Sequence, residues 1–254
     1  MPFIRFLPFL PQRIVSLVPS QTELLYDLGL GARVVGVTKF CIHPARAVGG
    51  VTKVGGTKQF LFDVIDRLRP DLILGNKEEN YREGIERLAA QYPVWISDIY
   101  TLADALAMIQ TVGTLTGTVD KAASLTKTIR TAFANVSPVR PARVAYFIWR
   151  NPWMVAGSHN FIDAMLNQCG FTNVFGHLPR YPEVTEAQLR EAQPDCLLLS
   201  SEPYPFAEKH REELQGVCPR AKVRLVDGEL FSWYGSRLLQ SPTYLSSLFK
   251  KITG

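Results

Sequence analysis

Cysteine is scarce: four residues in 254, at positions 41, 169, 196 and 218, with no CxxC pair and no zinc-ribbon spacing. That spacing excludes the common small zinc modules and leaves disulfide pairing open. Cys196 opens the apolar run Cys-Leu-Leu-Leu199, where a buried free thiol is the default. No stretch reaches the roughly 20 consecutive apolar residues of a spanning helix, so the chain is not expected to cross a membrane. Runs of like charge are missing too. The 28 Lys and Arg are interspersed with 23 Asp and Glu, for a net charge of +5, and no nucleic-acid-binding motif is present. Nucleic acid is therefore not an expected partner. GxSxG, HExxH and kinase signatures are absent, and no residue is assigned a catalytic role. The N-terminal Met1–Gln12 is apolar, but prolines at 2, 8 and 11 and the lack of a small-residue cleavage site make it a poor secretory signal. A cytoplasmic location stays open on that reading.

What is present is a globular composition, 46% hydrophobic and 20% charged, with short strands alternating with helices. Arg13–Val18 reads as a buried strand and Glu23–Leu28 as a helix that Ser20 or Thr22 can cap. Strands follow at Val34–Val37, Leu72–Leu74 and Val94–Ile96, with helices at Phe62–Leu68 and Tyr81–Gln91. The second half repeats the order: a strand at Arg143–Ile148, a helix at Phe161–Gln168, a helix at Val184–Ala192 and a strand at Cys196–Leu199. Arg67-Leu-Arg-Pro-Asp-Leu-Ile-Leu74 and Glu191-Ala-Gln-Pro-Asp-Cys-Leu-Leu198 match around their Pro-Asp pairs, the mark of a duplicated α/β unit. Between the halves, Leu102, Leu106, Ile109, Val112, Leu115, Val119, Ala122, Ile129 and Phe133 recur at helical spacing. Unbroken, that segment is one helix of about 50 Å at 1.5 Å per residue; a break near Gly113 or Gly117 is the rival reading.

Several phrases in order carry a resemblance. Arg13-Ile-Val-Ser-Leu-Val-Pro-Ser-Gln-Thr-Glu23, Pro70-Asp-Leu-Ile-Leu74, Asn151-Pro-Trp-Met-Val-Ala-Gly-Ser158 and Cys169-Gly-Phe-Thr-Asn-Val-Phe175 are similar to the class III, helical-backbone substrate-binding proteins of ABC transporters. The cobalamin-binding subgroup is the nearest match. The resemblance implies an α/β fold of two Rossmann-like lobes with parallel sheets joined by one long backbone helix: residues 1–100, 101–136 and 137–254. It implies a monomer with a shallow cleft between its lobes, no tightly bound cofactor and a periplasmic or cell-envelope location. The cleft would take a small-molecule ligand, a corrinoid or another metal chelate, and an ABC-transporter permease would be the protein partner. Two departures stand out. Phe249 lies near the place of the cysteine that would pair with Cys169, and Ser232 or Arg237 falls where a docking glutamate is expected.

The candidate site residues follow from loop position. Phe40, Cys41 and His43 come after the second strand, and Cys41 and His43, two apart, would point the same way in an extended segment. Thiolate and imidazole suit a soft or borderline metal, or an axial bond to the metal of a macrocycle. Gly50-Val-Thr-Lys-Val-Gly55 has the gap of a phosphate loop without its lysine, so a cleft loop offering Thr57 and Lys58 to the ligand is the better reading. Asn76 follows the third strand, where ligands of open α/β sheets sit. Glu78 and Glu79 on that loop, with Glu83 on the next helix, are solvated charges suited to partner docking. Trp149 and Trp153, and Trp233 and Tyr234, come from two loops expected at one edge of the second lobe, a surface for a broad, flat ligand. Phe147 and Trp95 read as core, and His177 and His210 as surface. A bare metal-ion receptor and a cytoplasmic metallocofactor-handling enzyme on the same fold are the competing functions.

Overall fold

The computed structural model describes residues 7–136 and 141–253; of the stretch 137–141, expected from its prolines to end the connecting helix, all but Pro141 lies outside them, as does Met1–Phe6. The chain divides into two compact units. The first holds the chain through Ile99, Ala103–Ile129 and Trp233–Arg237; the second holds Tyr100–Leu102, Arg130–Ser232 and the chain from Leu238.

Unit 1 begins with β1 (Ile14–Ser16), α1 (Pro19–Asp27), β2 (Val34–Val37), α2 (Ala45–Val48) and β3 (Thr52–Lys53). The hairpin β4 (Gly55–Gly56) and β5 (Gln59–Phe60) precedes α3 (Phe62–Leu68), β6 (Leu72–Asn76), α4 (Arg82–Ala89) and β7 (Val94–Ser97). Its sheet runs β3-β2-β1-β6-β7, and every adjacent pair is parallel. β6 is buried along its whole length, as a strand covered on both faces must be. α1 starts earlier than the capping reading expects. Pro19 takes the first helical position, where its missing N–H costs nothing, and Thr22 donates back to the Val18 carbonyl at 2.9 Å rather than capping.

The segment read as one long helix is two, α5 (Leu102–Thr116) and α6 (Val119–Ala134). Gly117 takes φ +73°, and the Thr118 N–H bonds the Gly113 carbonyl at 2.8 Å. The helices then meet so closely that a Cβ on Gly113 would lie 2.4 Å from that of Ala122. Gly113 and Gly117 thus make a sharp break between two packed helices.

Unit 2 contains β8 (Ala142–Trp149), β9 (Met154–Val155), α7 (Phe161–Gln168), β10 (Phe171–Asn173), α8 (Glu186–Ala192) and β11 (Cys196–Ser200). α9 (Glu208–Val217), β12 (Lys222–Val226), α10 (Glu229–Ser232) and α11 (Ser241–Thr253) complete it. The parallel order is β10-β8-β11-β12, with β9 antiparallel on β8.

The matched Pro-Asp phrases occupy equivalent places. Arg69 and Gln193, each just before its proline, close α3 and α8 in the left-handed region at φ 45°. The Asp71 carboxylate accepts the N–H groups of Gln12 and Arg13, both at 2.8 Å, and the Asp71 N–H donates to the Arg13 carbonyl at 3.0 Å. Asp195 accepts the Arg143 N–H at 2.8 Å and donates its own N–H to the Arg143 carbonyl at 2.8 Å. Each arginine reaches back to the preceding helix: Arg13 to the Leu68 carbonyl and Arg143 to the Ala192 carbonyl, both at 2.8 Å. The duplication is one of atomic contacts as well as of sequence. Asp71→Ala and Asp195→Ala should each cost about 1–3 kcal/mol in denaturant unfolding, because charge-assisted acceptors of backbone N–H groups are removed. Asp71→Ala, which strands two donors, should cost the more.

Candidate functional site

In parallel α/β sheets the loops beyond the carboxyl ends of the strands form the binding edge. In unit 1 those loops carry most of the sequence candidates, and the structure sorts them. After β2 the chain turns, with the Cys41 N–H bonded to the Thr38 carbonyl at 3.1 Å. The turn sends Cys41 and His43 to different surroundings, where an extended segment would have aligned them. Cys41 is 2% exposed, its Sγ 3.1 Å from Thr22 Oγ1 and 3.2 Å from Thr38 Oγ1. Burial pushes its pKa up, against the opposing hydrogen bonds from the two threonines. It is a packed, protonated thiol. His43 is half-buried, its ring 5.4 Å from that of Trp233 and nearly perpendicular at 73°. Phe40 and Ile42 are the exposed apolar groups of this loop, at 50% and 52%, and the Lys39 ammonium lies 5.1 Å from the Phe40 ring centroid.

The glycine-rich stretch runs into the β4–β5 hairpin, so a strand pair, not a helix N-terminus, follows Gly55. Gly55 needs its φ of +106°, since a Cβ there would strike the Gln59 carbonyl. Thr57 is half-buried at the turn, its carbonyl accepting from Asn80 Nδ2 at 3.1 Å, and the exposed Lys58 donates to the Glu78 carbonyl at 2.6 Å. Asn76 departs from its expected role. At 2% exposure its Nδ2 donates to the Ser97 carbonyl and hydroxyl, and its Oδ1 accepts the N–H groups of Glu78 and Glu79. Both ends of the amide hold the loop, so Asn76 shapes the edge. Glu78 and Glu79 are half-buried on that loop, and Glu83 is exposed in the first turn of α4, where a carboxylate suits the helix dipole.

Trp233 and Tyr234 belong to unit 1, not to an edge of the second lobe. Each is only 6% exposed, so neither offers a bare ring. The Arg237 guanidinium lies 5.0 Å from the Trp233 centroid, and it pairs bidentately with Glu23 at 2.9 and 2.6 Å. Gly235 passes so close to α1 that a Cβ would be 2.7 Å from the Ser20 carbonyl oxygen. The pairing of Glu23 with Arg237 carried no sequence signal, the two being 214 positions apart.

In unit 2, Trp149 closes β8 with 41% of its surface exposed and its ring edge-on to Tyr204 at 5.5 Å. Trp153 is core: 7% exposed, 5.5 Å from Phe147, stacked on Phe206 at 6.3 Å and covered by the Arg150 guanidinium at 4.2 Å. β9 folds back on β8 and carries Trp153 inward, which the interrupted strand pattern did not reveal. His210, expected at the surface, is 6% exposed; its Nδ1 accepts the Ala207 N–H at 2.9 Å, and its Nε2 is 3.1 Å from the Tyr204 hydroxyl. Trp149 is thus the exposed ring of a Tyr204–Phe206–His210 support, readable only as a Tyr-x-Phe-x3-His spacing. Ser232 donates to Glu202 at 2.6 Å. All four cysteines are free and buried, and the Phe249 ring lies 5.2 Å from that of Phe171.

Among the described residues no three His, Cys, Asp or Glu side chains converge to hold a metal ion. The edge of unit 1 places the His43 imidazole beside the apolar Phe40 and Ile42. No helix among the described residues is long and apolar enough to cross a membrane.

The periplasmic binding protein family model matches residues 14–217. The chain belongs to the periplasmic binding protein family. A vitamin B12-binding protein of Pectobacterium carotovorum is 25% identical over 247 residues, covering 94% of this chain and 88% of its own. An uncharacterized ABC transporter substrate-binding lipoprotein of Bacillus subtilis is 27% identical over 245 residues, 91% of this chain and 77% of its own. Among solved structures, the periplasmic vitamin B12 binding protein of Vibrio cholerae superposes with a TM-score of 0.79 at 21% identity, covering 96% of this chain and 99% of its own. A periplasmic heme-binding protein in complex with two hemes superposes at 0.84 and 24% identity, covering 95% and 99%. The fold is that of the class III periplasmic binding proteins, as the resemblance implies, and the chain is a substrate-binding protein.

The buried thiols have a consequence at high pH. Burial pushes Cys169 and Cys196 up to about 12 from 9.0. The unfolded chain ionises first, so stability from these groups is whole below pH 9 and falls as pH rises towards 12. The limit is about 1.4 kcal/mol per pH unit for each thiol. Denaturant midpoints at pH 8 to 11 should therefore drop more steeply for the parent than for Cys169→Ala/Cys196→Ala.

Proposed function

We propose that this protein captures a metal chelate, a corrinoid first, as a carrier in ABC-transporter uptake rather than as a catalyst. The observation that carries the reading is the carboxyl edge of unit 1. There His43 stands edge-on to Trp233, beside the exposed rim of Phe40 and Ile42. An imidazole next to apolar surface suits a flat conjugated ligand with a metal at its centre: the rim takes up ring area, and the imidazole approaches one axial face. Trp149, the exposed ring at the carboxyl edge of unit 2, adds a second aromatic surface of the same kind. The relatives named for vitamin B12 and heme binding support the choice of a macrocycle over a bare ion. A periplasmic or envelope location fits the same relatives.

The test is titration with cobalamin, cobinamide, haem, zinc and manganese, read by quenching of the four tryptophans. Saturable quenching by a corrinoid is expected. Trp149→Ala and Phe40→Ala should each weaken it roughly threefold to tenfold, the worth of one ring contact. His43→Ala should remove any imidazole-coordination band from the visible spectrum, and Cys41→Ser should leave affinity unchanged. Tight zinc or manganese binding with no macrocycle quenching would overturn the reading.

Glu78, Glu79 and Glu83 are proposed to face a permease. Reversing all three charges should leave ligand affinity within about twofold while slowing capture by a reconstituted transporter at low salt. Loss of ligand affinity would refute that role.

A further inference from the structure

The ion pair of Glu23 and Arg237 is unusual in its setting. Its side chains are only 14% and 10% exposed, and it joins α1 to a segment 214 residues later in the chain. Taking two charges out of water costs several kcal/mol each, so a hydrophobic pair of similar volume would often serve stability as well. What such a pair cannot supply is direction. The guanidinium is a rigid planar fork, and two bonds to one carboxylate fix its plane and position. That plane is spent on a ring: Arg237 Cζ is 5.0 Å from the Trp233 centroid. Trp233 in turn meets His43 edge-on at 5.4 Å and 73°. The intervening Gly235 is pressed against the Ser20 carbonyl, where a Cβ would come within 2.7 Å, so the segment has little room to shift. The contacts run in series, from Glu23 to Arg237 to Trp233 to His43.

We propose that Glu23 and Arg237 are positioning residues, which set the orientation of His43 through Trp233 and so preorganise the imidazole for its ligand. The inference rests on the reading of His43 as a ligand-facing group. An imidazole on a loop otherwise loses rotamer freedom on binding, and a ring held beforehand avoids that cost. Arginine is required here, because a lysine offers a point charge with no plane to lay on the indole.

The first test needs no ligand. The protein has four histidines, and the other three, His159, His177 and His210, lie in unit 2 and report its folding. In carbon–proton spectra of the imidazole groups, the signal lost in His43→Gln identifies His43, and Trp233→Leu measures its displacement by the indole ring current. Arg237→Ala should move the His43 signal most of the way to its Trp233→Leu position, with the other three unchanged. Arg237→Lys and Glu23→Gln should move it part of the way. A His43 signal that stays at the parent position in Arg237→Ala would overturn the proposal. The second test is cobinamide affinity, where Arg237→Ala should cost about tenfold in the parent and little in a His43→Ala background. An equal loss in both backgrounds would mean that the pair acts apart from His43, and would also overturn it. If the parent protein binds no cobinamide, the functional reading fails there, and the His43 signal still decides the positioning role.

Discussion

One carboxylate at the foot of each sheet sets the frame on which everything else is hung. Asp71 and Asp195 each enter a strand directly after a proline, and each accepts backbone N–H at the start of the neighbouring strand. A parallel pair has no hairpin to fix its register, and a slip of one residue would exchange the faces of the strand. The Asp staple supplies the missing reference point. With Ile14 paired to Leu72 and Val144 paired to Cys196, the carboxyl ends of the strands fall in line. The loops that carry Phe40 and His43, and Glu78 and Glu79, leave from those ends.

At the edge of each unit, the division between support and contact follows from how each ring is covered. Trp153 and Trp233 both lie beneath an arginine that is itself paired with a glutamate, Arg150 with Glu213 and Arg237 with Glu23. In each unit the covered indole supports a neighbouring group, while Phe40 and Trp149 keep their surface bare. Cys41 belongs to the support as well. Its thiol is enclosed by two threonines, so the chemistry at the edge of unit 1 rests with the imidazole.

Fully buried strands and proline stops were legible in the chain because each depends on neighbours a few residues away. The Pro-Asp duplication was legible for the same reason, as was Phe147 in the core. The break at Gly117 was available as an alternative: glycine lowers helix propensity by only about 1 kcal/mol, too little to overrule an apolar periodicity on its own. What decided it was the contact of Gly113 with Ala122, a tertiary fact. α1 starts a few residues before the expected helix because Pro19 can open a helix as well as end one.

The site was less legible than the fold. Asn76, Trp153 and Cys41 have the right residue types beyond the right strands, yet each is turned inward by a bond or a fold-back that spacing does not encode. Trp233 joins unit 1 through Glu23, which lies over two hundred residues away along the chain. The sequence by itself determined the α/β class, the repeated unit and the loops where binding residues must lie, since local propensity, periodicity and punctuation carry those. Only the tertiary structure decided which of those side chains face outward, because exposure is a property of long-range packing and of ion pairs whose partners are not neighbours in the chain.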